Sequence, residues 1–437
     1  MRSKKFDTIA VHGIYDMQEA LANQGSIIEP IYMSSAQHFE NSDHLETALA
    51  YQMPAWGYTR IANPSIHYLE QTLSLLESYG CEEAADAVVT GSGMSAVFAA
   101  TQPFLSREYA QDMNIVVSGK CYGGTFQLFA ERYAKENGVD VRWIQNNLDL
   151  DAWEQQIDDK TRFLYTETPS NPGLAMADIK SLAELAHQHN LTLIVDSTLT
   201  SPALMRPLDL GADIVIHSLS KVMNATGMSI AGAVIAKHNI VARVGSDAMK
   251  VNFAHYVKLL PARDFGPTMS PFNAVMILND LRSLRQRVDQ MSQSALKVAQ
   301  ALTEMPEVEQ VNYPGLAGFQ GYNIAKHYMK LVDSDENRYG YMMSFLVKDG
   351  LQATRDTLDK LKMIWRATDL GRVKTVAVIP AISTHQQQGE TGRSVAGIPA
   401  NLIRLSVGLE HPDDIIADLT QALKSQTNVV RELQIAS

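Results

Sequence analysis

The sequence predicts an α/β protein: a mostly parallel sheet of seven strands covered by helices on both faces, followed by a smaller α+β unit. Three observations predict it. Between residues 85 and 240, short continuous apolar runs alternate with segments whose apolar residues recur every three or four positions, the pattern of buried strands separated by amphipathic helices. After "FGPTMSPFNA" the pattern changes, and a long helical stretch opens a second set of elements. The length, 437 residues, exceeds what one hydrophobic core normally serves, so two domains are the default.

Taken in order, residues 1–75 read as an irregular N-terminal arm, in which "IIEPIYMSSAQHF" and "PAWGYTRIANPS" carry prolines where a helix would break. Residues 76–270 hold the seven strand candidates: "DAVVTG", "NIVVSG", "VRWIQN", "RFLYTET", "TLIVDST", "DIVIHS" and "SIAGAVIA". Between them, "TFQLFAERYAKENG" and "DIKSLAELAHQHN" are the amphipathic crossovers of a parallel sheet. Residues 271–437 start with one long helix, "AVMILNDLRSLRQRVDQMSQSALKVAQAL". Strands "YMMSFLVK", "TVAVIP" and "LIRLSVG" follow, with helices "LQATRDTLDKL" and "DDIIADLTQALKS" between and after them.

Bulk properties narrow the function. Hydrophobic residues make up 46% and charged residues 19%, which suits a large packed core rather than disorder. A net charge of -11 gives a nucleic-acid partner no electrostatic support. No stretch reaches the roughly 20 apolar residues that span a bilayer, and "MRSKKFDTIAVHG" lacks the apolar core and cleavage site of a secretory signal. The two cysteines, Cys81 and Cys121, fit a reducing compartment and give neither a disulfide framework nor a metal site. A cytoplasmic protein is expected.

Ligands of parallel α/β sheets sit at the carboxyl ends of the strands, and those ends carry the chemistry here. Lys221 follows the sixth strand in "HSLSKVMNATG". Lysine is almost never fully buried without a partner, so it either snorkels out of a strand end or has a reaction to perform. Its neighbours decide between these. "TGSGMSA" follows the first strand and opens a helix whose backbone N–H groups suit a phosphate. "CYGGTF" follows the second with Tyr122, "ETPSNP" follows the fourth with Glu167 and Asn171, and "VDST" ends the fifth with Asp196. A buried carboxylate there needs a cationic or hydrogen-bonding partner. Pyridoxal phosphate uses all of these at once: a Schiff-base lysine, a carboxylate on its pyridine nitrogen, a phosphate cup and a stacking ring. Lys221 is the Schiff-base candidate and Asp196 the pyridine partner. Gly93, Met94, Ser218 and Ser220 form the phosphate cup, and Tyr122 stacks.

With these residues placed, the chain resembles the cysteine/methionine-metabolism (trans-sulfuration) family of pyridoxal-phosphate enzymes, relatives of O-acetylhomoserine sulfhydrylase, methionine γ-lyase and cystathionine γ-synthase. "YTRIANPS", "GSGMSA", "YGGTF", "ETPSNP", "GADIVIHSLSK" and "LIRLSVGLE" stand in the family's order over nearly the whole chain. The resemblance implies the aspartate-aminotransferase-like (type I) fold and a homotetramer, a dimer of dimers with shared active sites. In it, Tyr58 and Arg60 of the arm would clamp the phosphate of a neighbouring subunit. It also implies that Arg404 grips the substrate α-carboxylate, a task suited to a planar guanidinium. Asn171 would stand between cofactor and carboxylate, and Thr198 would assist near the ring.

Several positions depart from that pattern. Ser197 replaces the usual asparagine after the pyridine-binding aspartate, Ser220 the usual threonine before the lysine, and "NATG" the usual glycine-histidine pair after it. "IPAIS" with "THQQ" is similar to the sulfhydrylase branch. Asp369, in "ATDLGRVKT", occupies a place where relatives carry serine or asparagine. It is a candidate substrate contact unless it turns out to pair with Arg366 or Arg372.

The implied reaction begins when an amino acid displaces Lys221, whose amine then removes the α-proton. A group leaves from Cγ, with Tyr122 a candidate acid or base, and a nucleophile or water completes the cycle. The expected function is γ-replacement on an O-acylated homoserine with sulfide or a thiol. The alternative is a γ-lyase acting on methionine, homocysteine or an oxygen-linked analogue such as canavanine. A cystathionine β-lyase and a silent binding scaffold rank behind these.

Overall fold

The seven apolar runs fold into one sheet in the computed structural model, which describes residues 3–109 and 112–435. The strands are β1 (Ala85–Thr90), β2 (Asn114–Ser118), β3 (Asp140–Ile144), β4 (Thr161–Glu167), β5 (Thr192–Asp196), β6 (Ile214–His217) and β7 (Gly232–Lys237). Their spatial order is β1-β7-β6-β5-β4-β2-β3. β2 to β6 pair in parallel, and β7 runs antiparallel to both β6 and β1. Every residue of β4 and β5 is buried, which is why these strands read as unbroken apolar runs rather than as alternation. The parallel arrangement brings the ends of β4, β5 and β6 to a single edge.

Two helices fix that edge. The crossover Ile179–Gln188 is capped by the Asp178 side chain, which accepts from the Ser181 N–H. The helix Gly93–Thr101 follows β1, and its start is held by a reciprocal capping box between Ser92 and Ser95. Gly232 lets β7 pass this start closely, since a Cβ there would lie 2.2 Å from the Ser92 carbonyl oxygen.

A second sheet of five strands comprises β8 (Val308–Asn312), β9 (Met342–Val347), β10 (Trp365–Arg366), β11 (Val376–Val378) and β12 (Leu402–Ser406). Its order is β10-β11-β12-β9-β8, so β12 is central and Arg404 lies between Val378 and Ser344. β8 and β10 escape a reading of apolar runs because Glu309 and Gln310 of β8 are exposed and β10 has two residues.

The first 75 residues are less irregular than their prolines imply. Helices span Phe6–His12, Met17–Ala22, Ser42–Leu49 and Pro64–Glu77. Pro64 begins the last of these instead of breaking it: proline lacks an N–H that the first helical position does not need, and Asn63 caps the Ser65 N–H. The buried end of this helix is tied to the sheet by Glu77, whose Oε2 lies 2.8 Å from His217 Nε2 at the end of β6. The expected single helix after residue 270 is two, Pro271–Leu281 and Leu284–Thr303. No helix among the described residues is long and apolar enough to cross a membrane.

Candidate active site

Lys221 faces a cavity of about 750 Å³ at the strand-end edge of the larger sheet. Gly93, Met94, Tyr122, Asn171, Asp196, Thr198, Ser218 and Ser220 line it from that sheet and its loops, and Asp369 and Arg404 line it from the second sheet's side. Eleven sequence-predicted residues, Lys221 included, thus converge. Tyr58 and Arg60 do not. Tyr58 is exposed, and Arg60 Nη1 donates to the Arg263 carbonyl oxygen at 2.5 Å, away from this cavity.

The floor of the cavity is a chain of hydrogen bonds anchored in backbone. The Ser218 N–H donates to Thr198 Oγ1 (2.8 Å), and the Thr198 hydroxyl donates to Asp196 Oδ1 (2.6 Å). The Thr198 N–H donates to the same oxygen (3.0 Å). Beside Asp196 in register stands Glu167, whose carboxylate accepts the N–H groups of Tyr122 (2.6 Å) and Asn171 (2.7 Å). Burial pushes Glu167 well above the usual carboxylate range, and the charge of Asp196 adds to the effect. Burial raises Asp196 too, opposed by the two Thr198 donors.

Two serines divide their roles. The Ser220 hydroxyl donates to the Ala231 carbonyl oxygen (3.1 Å) and accepts from the Ala231 N–H (2.9 Å), so its proton is engaged in holding the loop to the start of β7. The Ser218 hydroxyl makes no hydrogen bond among the described residues. It sits against Gly93, where an added Cβ would come within 2.7 Å of it.

The opposite wall is held by charges. Lys221 Nζ lies 3.1 Å from Asp369 Oδ1, and Arg372 Nε pairs with Asp369 Oδ2. Arg372 is fixed in turn by donating from Nη1 to the Asn224 carbonyl oxygen (2.6 Å). Asp369 therefore both pairs with Arg372 and faces the cavity, while Arg366 reaches Asp359 instead. Burial lowers the pKa of Lys221 and Asp369 opposes that. Burial works to raise Asp369, but Lys221 and Arg372 outweigh it and hold it ionised. Arg404 is 1% exposed. It donates from Nη2 to the carbonyl oxygens of Thr368 (3.1 Å) and Asp369 (2.8 Å), and from Nη1 to Asn171 Oδ1 (3.2 Å). Burial brings its pKa down to about 10, so it stays charged at neutral pH.

Three residues join the site that motif reading did not single out. Arg372 was considered only as an outside partner for Asp369. His385 packs edge-on to Tyr122, ring centroids 6.5 Å apart, and burial lowers it to about 4, which makes it neutral. Gln388 lines the cavity with both amide atoms buried and without a hydrogen bond among the described residues. A polar run, "THQQQ", beside an otherwise apolar stretch was the available signal for the last two.

The residues present fit pyridoxal phosphate. Asp196 is a buried carboxylate with no ion pair among the described residues, which suits a protonated pyridine nitrogen. The start of the helix Gly93–Thr101 and the unbonded Ser218 hydroxyl suit a phosphate. Arg404 Nε is buried without a partner among the described residues, an unmet donor that suits a carboxylate.

Such a fold and cavity define an amino-acid enzyme built around pyridoxal phosphate. The chain belongs to the Cys/Met metabolism PLP-dependent enzyme family, which it matches over residues 7–424. It is 33% identical to an O-acetyl-L-homoserine sulfhydrylase of Leptospira meyeri, covering 97% of this chain and 98% of the relative. It is also 33% identical to an L-methionine gamma-lyase of Pseudomonas putida, covering 96% and 97%. Among solved structures, one described as an O-acetylhomoserine (thiol)-lyase from Campylobacter jejuni matches with a TM-score of 0.87 at 33% identity, over 96% of this chain and 100% of that one. That structure carries a pyridoxyl-lysine phosphate. The family and the cofactor follow from these matches.

Proposed function

We propose that the chain breaks the Cγ–oxygen bond of an O-acylated homoserine and replaces the leaving group with sulfide or a thiol. The observation that carries this reading is the convergence of Lys221 and buried Arg404 on one cavity above Asp196. Arg404, with its unmet Nε and its bond to Asn171, receives the α-carboxylate and orients the amino acid. That orientation turns the α-proton toward Lys221. Burial disfavours the ammonium form of Lys221, which readies the amine as a base, and Asp369 steadies the proton once taken. Tyr122, half-exposed at the cavity, makes no hydroxyl hydrogen bond among the described residues and acts as acid or base at the leaving group. Asp196, Tyr122, Gly93, Met94 and Ser218 hold pyridoxal phosphate, which when bound supplies the sink for negative charge at Cα. Ser220 fixes the loop behind it.

The test is to supply O-acetylhomoserine to the cofactor-loaded protein with and without sulfide. Sulfide-dependent release of homocysteine is expected. Release of 2-oxobutanoate and ammonia regardless of sulfide would instead establish the γ-lyase alternative.

The same reading makes the enzyme a homotetramer whose sites are completed across subunits. Its support is the position of Tyr58 and Arg60 off their own cavity, and an arm that exposes Met17, Leu21, Ile27, Ile28 and Met33. So many exposed apolar side chains in one segment mark a surface for association. Mixing inactive Arg60→Ala and Lys221→Ala proteins should then restore part of the activity, and no recovery after verified subunit exchange would refute shared sites. A content of only two cysteines, Cys81 and Cys121, supports a cytoplasmic location.

A further inference from the structure

The wall of the cavity opposite the floor is polar, where a pocket for a methylthio group would be apolar. Asp369 Oδ2 is held by Arg372, and Oδ1 accepts from Lys221 Nζ (3.1 Å) and the Leu370 N–H (2.9 Å). A side chain 34% exposed therefore presents an ionised oxygen one hydrogen bond from the nitrogen that performs the chemistry. Lys221 must leave this contact whenever its amine is engaged elsewhere, and Oδ1 then faces the cavity with acceptor capacity free. Gln388 supplies the second, independent observation. It is 8% exposed, and neither its amide oxygen nor its amide nitrogen has a partner among the described residues. A buried amide left so costs about 1–3 kcal/mol per unmet group, and a ligand with both donors and acceptors would relieve it.

We propose that Asp369 and Gln388 form a subsite for a leaving group that carries N–H donors, a guanidine or amidine joined to Cγ through oxygen. This rests on the proposed cleavage of a Cγ–oxygen bond and names a further class of substrate for it. The carboxylate accepts N–H groups, and the amide accepts one more while donating to the bridging oxygen. An acyl or methylthio group offers no donor to either residue. The 2-amino-4-(guanidinooxy)butanoate canavanine is the simplest member of the class. Its Cγ–O bond breaks with the electron pair going to oxygen, which takes a proton and departs as hydroxyguanidine. Water then completes the balance in one of two ways: it adds at Cγ to give homoserine, or it hydrolyses the remainder to 2-oxobutanoate and ammonia.

The experiment compares kcat/KM for canavanine, O-acetylhomoserine and methionine in the cofactor-loaded wild type, Asp369→Asn and Gln388→Leu. Alongside it runs the calorimetric Kd of arginine, which has carbon in place of the bridging oxygen and cannot lose the group, against that of norleucine. Canavanine is expected to be consumed faster than methionine. Asp369→Asn should lower its kcat/KM by roughly ten- to hundredfold and weaken arginine binding by a similar factor. O-acetylhomoserine turnover should fall by a smaller factor, since any loss at Lys221 is common to both substrates, and norleucine binding should stay within about threefold. Gln388→Leu should act in the same direction by a smaller factor. Consumption of O-acetylhomoserine but not canavanine overturns the subsite and leaves the proposed function standing. An equal fall for all three substrates in Asp369→Asn, with arginine binding unchanged, also overturns it, because Asp369 then acts on Lys221 alone. If the loaded wild type consumes none of the three, both proposals fall together.

Discussion

The two walls of the cavity are built differently. The floor, at the ends of β4, β5 and β6, is held by backbone: Asp196 and Glu167 each accept a backbone N–H, and Ser218 reaches Asp196 through Thr198. The opposite wall, around residues 368–404, is held by side-chain charges: Arg372 on Asp369, Asp369 on Lys221, and Arg404 on two carbonyl oxygens. A backbone-anchored wall changes little when single side chains change, which suits groups that must hold an invariant cofactor. A wall of mutually supporting side chains can be altered one residue at a time, which suits discrimination among substrates. The comparison teaches that cofactor and substrate recognition can be perturbed separately.

Two variants sharpen that division. Arg404→Lys, on the charge-held wall, replaces a planar fork with a point charge and leaves the carbonyl oxygens of Thr368 and Asp369 with fewer donors. It should lower kcat/KM by roughly ten- to hundredfold, mainly through KM, with cofactor affinity near that of the wild type. Steady-state kinetics at saturating pyridoxal phosphate check it. Thr198→Val, on the floor, removes the hydroxyl between Ser218 and Asp196. Losing about 1 kcal/mol of net hydrogen bonding should raise the Kd for the cofactor by roughly fivefold, with KM for the amino acid little changed. Fluorescence titration of the apo-protein reads that shift. If Thr198→Val alters KM and Arg404→Lys alters cofactor affinity, the division between the walls is wrong.

The floor was legible in the sequence and the opposite wall only in part, for a physical reason. Strands buried on both faces appear as apolar runs, and polar residues at their ends stand out against them, so Asp196, Ser218 and Lys221 are marked by position, whereas Thr198 is expected only from the family resemblance. Arg404 is expected from the resemblance carried by "LIRLSVGLE", and it lies in the apolar run of β12. Asp369 lies just after the two-residue strand β10 and Gln388 in a short 3₁₀ turn, where no periodicity indicates which side chains face inward. Arg372, His385 and Gln388 depend on long-range packing, which spacing does not encode. Ser220 lines the cavity beside Lys221, and its hydroxyl also bonds the backbone of Ala231, eleven residues on and just ahead of β7, a contact that spacing does not reveal. Pro64 was misread for want of its cap, since a proline after asparagine starts a helix as readily as it ends one.

The central claim is that Lys221 carries the cofactor in a site built around it. The most direct measurement is reduction of the pyridoxal-phosphate-loaded protein with borohydride, digestion, and mass spectrometry of the lysine peptides. The account predicts the reduced pyridoxyl phosphate on Lys221, stoichiometric with subunits. Modification at another lysine, or none in protein shown to retain its fold, would contradict it.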